Sequence, residues 1–366
     1  MDIHTKYMSL ALRLAKKGEG TTSPNPLVGA VIVKNGKIIG QGYHKKAGHA
    51  HAEIAAFNDA ERKKNSVKGA DLYVTLEPCC HTKKRTPPCV GAIIEKKIRK
   101  VYVSILDPNP EVSGNGVRML QESGIEVQVG LLEEKAQELN EAFTKYISTK
   151  KPFVILKLAA TMDGKIAAHT GDSKWIGSPT QRKYAHELRN KVDGIMVGIE
   201  TVLKDNPSLN VRLDKKTTSD PIPIILDSKL RIPLSSNLLK IHDNIIIATS
   251  DKSKVRKIEK LEALGTRILS IKKDSNGRLN LNELMRKLGK LEIMSVLIEG
   301  GSKVASSSIK SAIVDKVVFF YAPKIVGAEG ISMIGDLGID TIKKSIQVKN
   351  TKIKKLKDEV MIEGYL

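Results

Sequence analysis

His51-Ala52-Glu53, followed by Glu77-Pro78-Cys79-Cys80 and then Cys89, is the stretch on which the reading of this chain turns. Imidazole nitrogen and thiolate sulfur are preferred zinc ligands, and three protein ligands leave the fourth tetrahedral position open to water, as catalytic zinc requires. Bound zinc lowers the pKa of such a water to about 7. Glu53 is the carboxylate that stays off the metal and moves protons. His44, His49 and His81 compete for the histidine role, but only His51 has a glutamate two residues on. Cys80 competes with Cys79, but only Cys79 follows Pro78. Two plainer readings stand beside this one. His51 and Glu53 could be a surface histidine and a first-turn glutamate favoured by the helix dipole, or His81 or Cys80 could close a structural four-ligand zinc site.

The flanking sequence brings these residues together. Residues 52–62 have helical periodicity, which puts Glu53 in a first turn. Residues 70–76 read as a buried strand delivering Cys79, and residues 88–95 as a helix starting beside Cys89. Further out, the spacing predicts a helix over 2–17, a rigid turn at Ser23-Pro24-Asn25-Pro26, and apolar strands over 27–34 and 37–43. Asn35-Gly36 between those strands is a strong hairpin signal. A strand over 101–106, a helix over 116–123, a strand over 125–129 and one helix over 132–147 complete a three-layer α/β domain, 1–147. Thr149-Lys150-Lys151-Pro152 is a polar break.

A second α/β domain is expected over 151–366. Strands are predicted over 153–160, 194–198, 222–226, 244–249, 267–271, 295–299 and 317–321, with helices over 252–264 and 281–290 among them. Ser178-Pro179 starts another helix, with serine as N-cap and proline at the first helical position. Glu299-Gly300-Gly301-Ser302 could bring backbone N–H groups and a helix N-terminus to a phosphate. It is not the Gly-x-Gly-x-x-Gly fingerprint, so no Rossmann domain is inferred.

At 366 residues with 41% hydrophobic and 28% charged residues, two globular domains are the default. No apolar run is long enough to span a membrane, and the N-terminal stretch lacks a signal-peptide pattern, so a cytoplasmic location is expected. The three cysteines cluster at 79, 80 and 89, which favours metal over disulfides. The formal charge of +21 suggests nucleic acid, but 4% aromatics leave little for base stacking. Small anionic ligands use such charge equally well.

His-x-Glu with Pro-Cys matches the signature of zinc nucleobase deaminases, in which a Cys-x-x-Cys follows the proline; here nine residues lie between Cys79 and Cys89. Pro24-Asn25-Pro26-Leu27-Val28-Gly29, Gly42-Tyr43-His44, Thr75-Leu76-Glu77-Pro78-Cys79 and Arg85-Thr86-Pro87-Pro88-Cys89 accompany it in order. So do Asp107-Pro108-Asn109-Pro110 and Gly114-x-Gly116. Together they closely resemble the deaminase domain of the bifunctional riboflavin-biosynthesis deaminase/reductase family. The resemblance implies a cytidine-deaminase-like three-layer α/β/α fold, one zinc on His51, Cys79 and Cys89, Glu53 as proton shuttle, and Asn25 on the substrate ring. The family pattern has eight residues between the cysteines, and the additional one here falls among Thr82-Lys83-Lys84.

In the second half, Lys157-Leu158-Ala159 with Asp163-Gly164-Lys165, Ser173-x-Trp175-Ile176, the segment 198–212, Asp227-Ser228 and Glu299-Gly300-Gly301 are similar to the family's reductase domain. That implies a dihydrofolate-reductase-like α/β fold using NADPH. By motif, Ala159, Trp175, Thr201, Asp205, Ser228 and the turn and helix start of Gly301, Ser302, Lys303, Val304, Ala305, Ser306 and Ser307 would contact the cofactor. Ser173, Arg189, Leu209, Arg212 and Glu299 would contact the substrate, the arginine forks matching a ribose phosphate. The resemblance implies a small phosphorylated pyrimidine as ligand, with no nucleic acid or membrane partner, and a homo-oligomer, dimer or tetramer. Two other classes are weighed against it: a nucleic-acid base deaminase with a basic RNA-binding C-terminal domain, and a non-catalytic binding protein stabilised by zinc.

Overall fold

Asn35 and Gly36 both take positive φ, 50° and 71°, the pair of conformations a two-residue type I′ turn needs. Strand β1 (Gly29–Lys34) therefore folds back antiparallel on β2 (Lys37–Tyr43). β3 (Asp71–Leu76) pairs antiparallel with the other side of β1, and β4 (Lys100–Ile105) and β5 (Glu126–Val129) extend the sheet in parallel. The order is β2-β1-β3-β4-β5.

The computed structural model describes residues 2–80, 88–110, 112–214, 218–251 and 254–366. The chain divides into two compact units, Met1–Lys150 and Lys151–Leu366. In the first, α1 (Ile3–Ala15) packs Tyr7, Met8, Ala11 and Leu12 on one face of the sheet, with Ala136 of α5 (Glu133–Leu139) in the same core. The other face carries α2 (Ala52–Arg62), α3 (Cys89–Glu95) and α4 (Asn115–Glu122), burying Ala56, Phe57, Val90, Ile93 and Leu120. These are the three layers the sequence predicts.

The single helix expected over 132–147 is instead two, α5 and α6 (Glu141–Thr149), broken at Asn140. The Asn140 side chain is committed elsewhere: its oxygen accepts from Leu27 N at 2.8 Å and its amide donates to Leu27 O at 3.0 Å. A side chain that caps distant backbone competes with helix continuation.

In the second unit the strands are β6 (Phe153–Thr161), β7 (Lys165–Ala167), β8 (Gly194–Gly198), β9 (Ile222–Leu226), β10 (Ile245–Thr249), β11 (Thr266–Ser270), β12 (Ser295–Ile298), β13 (Lys316–Ala322), β14 (Ile331–Ser332), β15 (Lys349–Leu356) and β16 (Glu359–Tyr365). The nine-stranded sheet runs β11-β10-β9-β8-β12-β6-β13-β16-β15, and β14 pairs with β7 apart from it. From β11 to β13 every neighbour is parallel, while β16 is antiparallel to both its neighbours.

Helices cover both faces. α11 (Leu281–Lys290) and α12 (Ser302–Lys310) bury Leu284, Leu288, Ala305 and Ile309 on one side. α8 (Ile199–Asp205), α9 (Asn237–Ile241) and α10 (Val255–Ala263) bury Val202, Leu238 and Leu261 on the other. The helix expected over 252–264 starts outside the described residues at its first two positions. α7 (Pro179–Arg189) has the expected cap, Ser178 accepting from Gln181 N at 3.3 Å. Among the described residues no helix is long and apolar enough to cross a membrane.

Candidate functional site

In the first unit, glycine at 42 lets α2 lie directly on β2: a Cβ there would meet Ala56 N at 2.4 Å and Ala52 O at 2.7 Å. That close approach fixes the start of α2, where His51 is the N-cap and Glu53 stands in the first turn. Cys79 follows the end of β3, and Cys89 is the first residue of α3. The three ligand atoms of His51, Cys79 and Cys89 lie within 4.8 Å of one another. His51 Nδ1 is 3.2 Å from Cys89 Sγ and 3.5 Å from Cys79 Sγ. A tetrahedral zinc with ordinary Zn–N and Zn–S lengths holds nitrogen and sulfur about 3.6 Å apart, so this donor set fits the ion.

The electrostatics agree. A hydrogen bond from Cys89 holds the Cys79 thiol well below its usual range, against its burial; the Cys89 backbone N–H also donates to Cys79 Sγ at 3.4 Å. Cys89 is pushed up by that same shared proton and by burial. Two thiols sharing one proton are poised to exchange it for a cation. Glu53 is buried, and desolvation, with the Cys79 charge, raises its carboxyl to about 7.

Of the competing ligands, His44 is occupied: Nδ1 is 3.1 Å from Ala50 O and Nε2 is 3.0 Å from Asn25 Nδ2, with its ring edge-on to His51. His49 is exposed, and Cys80 does not join the cluster. His81, the expected insertion at Thr82–Lys84, and Arg85, Thr86 and Pro87 lie outside the described residues.

Glu77 stands in the motif without a role read from the sequence. It is buried and accepts three backbone N–H groups, from Asp107 (3.1 Å), Gly114 (2.9 Å) and Val117 (3.1 Å). It thereby ties the segment bearing Cys79 to the Asp107–Gly116 motif. Gly116 is required there, since a Cβ would meet Pro78 O at 2.3 Å. His44 was weighed only as a metal ligand, and its grip on Asn25 is visible only in space.

In the second unit, the parallel strands deliver their C-terminal ends to one edge of the sheet. Ala159 lies near the end of β6, Thr201 in α8 just after β8, Ser228 after β9, and Glu299 to Ser302 after β12. β12 sits between β8 and β6 although it comes far later in the chain. Such a switch in strand order opens a crevice in which α/β proteins bind ligands. Gly301 caps α12 there, and a helix N-terminus suits a phosphate. A nucleotide cofactor therefore fits this edge. Within 301–307, Ala305 is core, Ser306 Oγ accepts from Gly335 N at 2.8 Å, and Ser307 Oγ accepts from Arg278 at 2.8 Å. The helix start is the part left to face a ligand. Asp205 ends α8 and is exposed.

Arg189 and Glu299 come together directly. Nε and NH2 reach the two carboxylate oxygens at 2.8 and 2.9 Å, and NH1 donates to Asn210 O at 3.1 Å. The fork that sequence reasoning assigned to phosphate is thus engaged by a carboxylate. Burial raises the Glu299 carboxyl, but Lys157, Arg189 and His186 outweigh it and hold it at about 2. Arg212 is exposed, and its N–H donates to His186 Nδ1 at 3.2 Å. Burial, with the charges of Arg189 and Arg212, lowers His186 to about 4, so it is neutral at pH 7. Leu209 has φ 49° and is buried in the core of this unit, so the structure does not offer its side chain to a ligand. Ser173 and Trp175 are exposed on the loop before α7, and Lys324, just past β13, donates to Trp175 O at 2.5 Å.

Fold and site define a zinc deaminase unit followed by an NADPH-dependent reductase unit. Residues 1–105 match the cytidine and deoxycytidylate deaminase zinc-binding region, and 152–362 match the RibD C-terminal domain. The chain is 48% identical to the riboflavin biosynthesis protein RibD of Aquifex aeolicus, over 99% of this chain and 98% of that one. It is 38% identical to that of Escherichia coli, over 97% of each. A solved Thermotoga maritima deaminase/reductase superposes with a TM-score of 0.88 at 38% identity, covering 99% and 98% of the two chains. Acinetobacter baumannii RibD gives 0.88 at 34% identity, with the same coverage. The chain belongs to the RibD family: it is a bifunctional deaminase and reductase of riboflavin biosynthesis. The RibD match over 152–362 displaces the RNA-binding domain considered for that half.

Proposed function

We propose that the first unit deaminates a diaminohydroxy-phosphoribosylamino-pyrimidine and that the second reduces the product's ribosyl chain to ribityl. The Thermotoga maritima relative carries the corresponding double name, diaminohydroxyphosphoribosylaminopyrimidine deaminase and 5-amino-6-(5-phosphoribosylamino)uracil reductase. The observation that carries the reading is His51 Nδ1 at 3.2 and 3.5 Å from two thiols, with the buried Glu53 beside them.

His51, Cys79 and Cys89 would hold zinc, and Ala159, Trp175, Thr201, Ser228 and the start of α12 would hold NADPH. Zinc when bound makes water acidic enough to ionise near pH 7, and NADPH supplies a hydride. Glu53, with its carboxyl at about 7, takes a proton from the attacking water and returns it to the departing amine; a group titrating near the working pH does both. Asn25, held by His44, hydrogen-bonds the pyrimidine. In the second unit Arg212 attracts the phosphate, and the Arg189–Glu299 pair with Lys157 frames the ribose carbon that is reduced.

The reading includes a cytoplasmic location, supported by three free thiols, and a homo-oligomer. Exposed Ile342, Ile346, Val348 and Ile353 near the sheet edge at β15 support the latter. The test is Glu53→Ala, with ammonia release and NADPH oxidation followed separately. Ammonia release should vanish while oxidation on pre-deaminated substrate persists; the reverse pattern would overturn the assignment.

A further inference from the structure

Thr161-Met162-Asp163-Gly164-Lys165, the turn from β6 to β7, has no role in the chemistry above, yet it is dense in polar contacts. The Asp163 carboxylate accepts from the Thr161 hydroxyl at 2.6 Å, from Val326 N at 3.2 Å and from Gly327 N at 2.7 Å. Met162 N donates to Lys324 O and Met333 N to Gly164 O, at 2.8 and 2.9 Å. Lys165 Nζ reaches Ser332 Oγ at 3.1 Å. The turn thus clasps the segment 324–333 from several sides.

The first part of that segment, residues 324–326, is not held by burial, whereas Met333 at its far end belongs to the core. Ile325 is 80% exposed, Val326 is exposed, and across the clasp Met162 is exposed as well. Apolar side chains facing water contribute little to fixing a loop, so its position rests on the polar bonds, chiefly those to Asp163. From the same loop Lys324 Nζ donates to Trp175 O. Arg182 grips that segment from α7: its guanidinium lies 4.6 Å from the Trp175 ring centre, and NH1 donates to Gly177 O at 2.8 Å. Trp175, itself 65% exposed, is placed by these two cations rather than by a core.

We propose that Asp163 is a positioning residue of the reductase: it fixes the 324–327 loop, and Lys324 on that loop fixes the Trp175 segment against which NADPH binds. The inference rests on the reading of Trp175 as a cofactor contact. In this role Asp163 acts through the loop it holds rather than on the reactants.

Trp175 is the only tryptophan in the chain, so its fluorescence reports this segment alone. In the full-length protein without cofactor, Asp163→Ala should lower the steady-state anisotropy of Trp175. It should also raise the NADPH dissociation constant about tenfold and leave deamination at the wild-type rate. Asp163→Asn, which keeps an acceptor oxygen, should fall between. Lys324→Met leaves the Asp163 bonds intact and should produce the same anisotropy loss, so the test survives if Asp163→Ala fails to fold. Wild-type anisotropy in the variants overturns the clasp. Lowered anisotropy with an unchanged NADPH constant overturns its role in cofactor binding. The underlying reading is checked separately: if saturating NADPH does not quench Trp175 in the unaltered protein, Trp175 is not a cofactor contact, whatever the variants show.

Discussion

Arg189 and Glu299 meet in a two-pronged ion pair, Nε to one carboxylate oxygen at 2.8 Å and NH2 to the other at 2.9 Å, with side chains only 14% and 13% exposed. Removing one partner from such a pair leaves a buried charge uncompensated, which costs about 3–5 kcal/mol. Arg189→Met is therefore expected to lower the stability of the second unit by that order and to abolish NADPH oxidation, with ammonia release retained. Urea denaturation and the two separate assays check it. Glu299→Gln should cost a similar amount, because it leaves the buried Arg189 charge uncompensated and sets an amide N–H against a guanidinium N–H.

The same pair sets a pH dependence. The Glu299 carboxyl titrates at about 2 in the folded chain against 4.5 for the free group. A depressed folded pKa contributes stability that is present above 4.5 and lost as pH falls from there towards 2. The contribution is on the order of 3 kcal/mol, at about 1.4 kcal/mol per unit of pKa difference. Denaturation midpoints measured between pH 6 and 3 should fall for the wild type and fall less steeply for Glu299→Gln. Parallel slopes would show that Glu299 is not the group responsible.

Cys89→Ser exchanges a thiolate for a hydroxyl that hardly ionises at neutral pH. Bound zinc, counted by metal analysis of the purified chain, should fall well below one per chain, and ammonia release should fall with it. NADPH oxidation on pre-deaminated substrate is expected to be unchanged. A full zinc complement would remove Cys89 from the ligand set.

Asn140→Ala should destabilise the first unit by about 2 kcal/mol, because both polar groups of the half-buried Leu27 backbone lose their partners, each at about 1 kcal/mol, the low end for an unmet group. Asn140 is itself buried. Thermal unfolding measures this directly. Leu27 lies two residues from Asn25, so a higher KM in deamination is expected alongside.

Whatever is encoded by neighbours in sequence was legible beforehand. Asn35-Gly36 forced the first hairpin, and Ser178-Pro179 capped α7 as expected. His51 and Cys89 took helix starts, as the periodicity required. What escaped depends on partners far along the chain. Nothing near Asn140 announces a helix break, since its partner Leu27 stands 113 positions away. Glu77 finds its three donors 30 to 40 positions on, and Arg189 looked like a phosphate fork because Glu299 is 110 positions distant. β15 was invisible for another reason: it is exposed along nearly its whole length and studded with lysine, so it has no apolar alternation to read. Pairing with β16 makes it a strand.

The contact between Asn25 and His44 has a sequel for what the pocket will accept. The Ala50 carbonyl 3.1 Å from His44 Nδ1 can only receive a proton, so that nitrogen must carry one. The other nitrogen of a neutral ring can then only receive, and it takes its proton from the Asn25 amide. Asn25 cannot turn over without setting two acceptors against each other. Its oxygen therefore has a fixed sense as an acceptor, while the amide keeps a second hydrogen to donate. A single peptide carbonyl, one histidine away, thus sets which way the Asn25 amide faces.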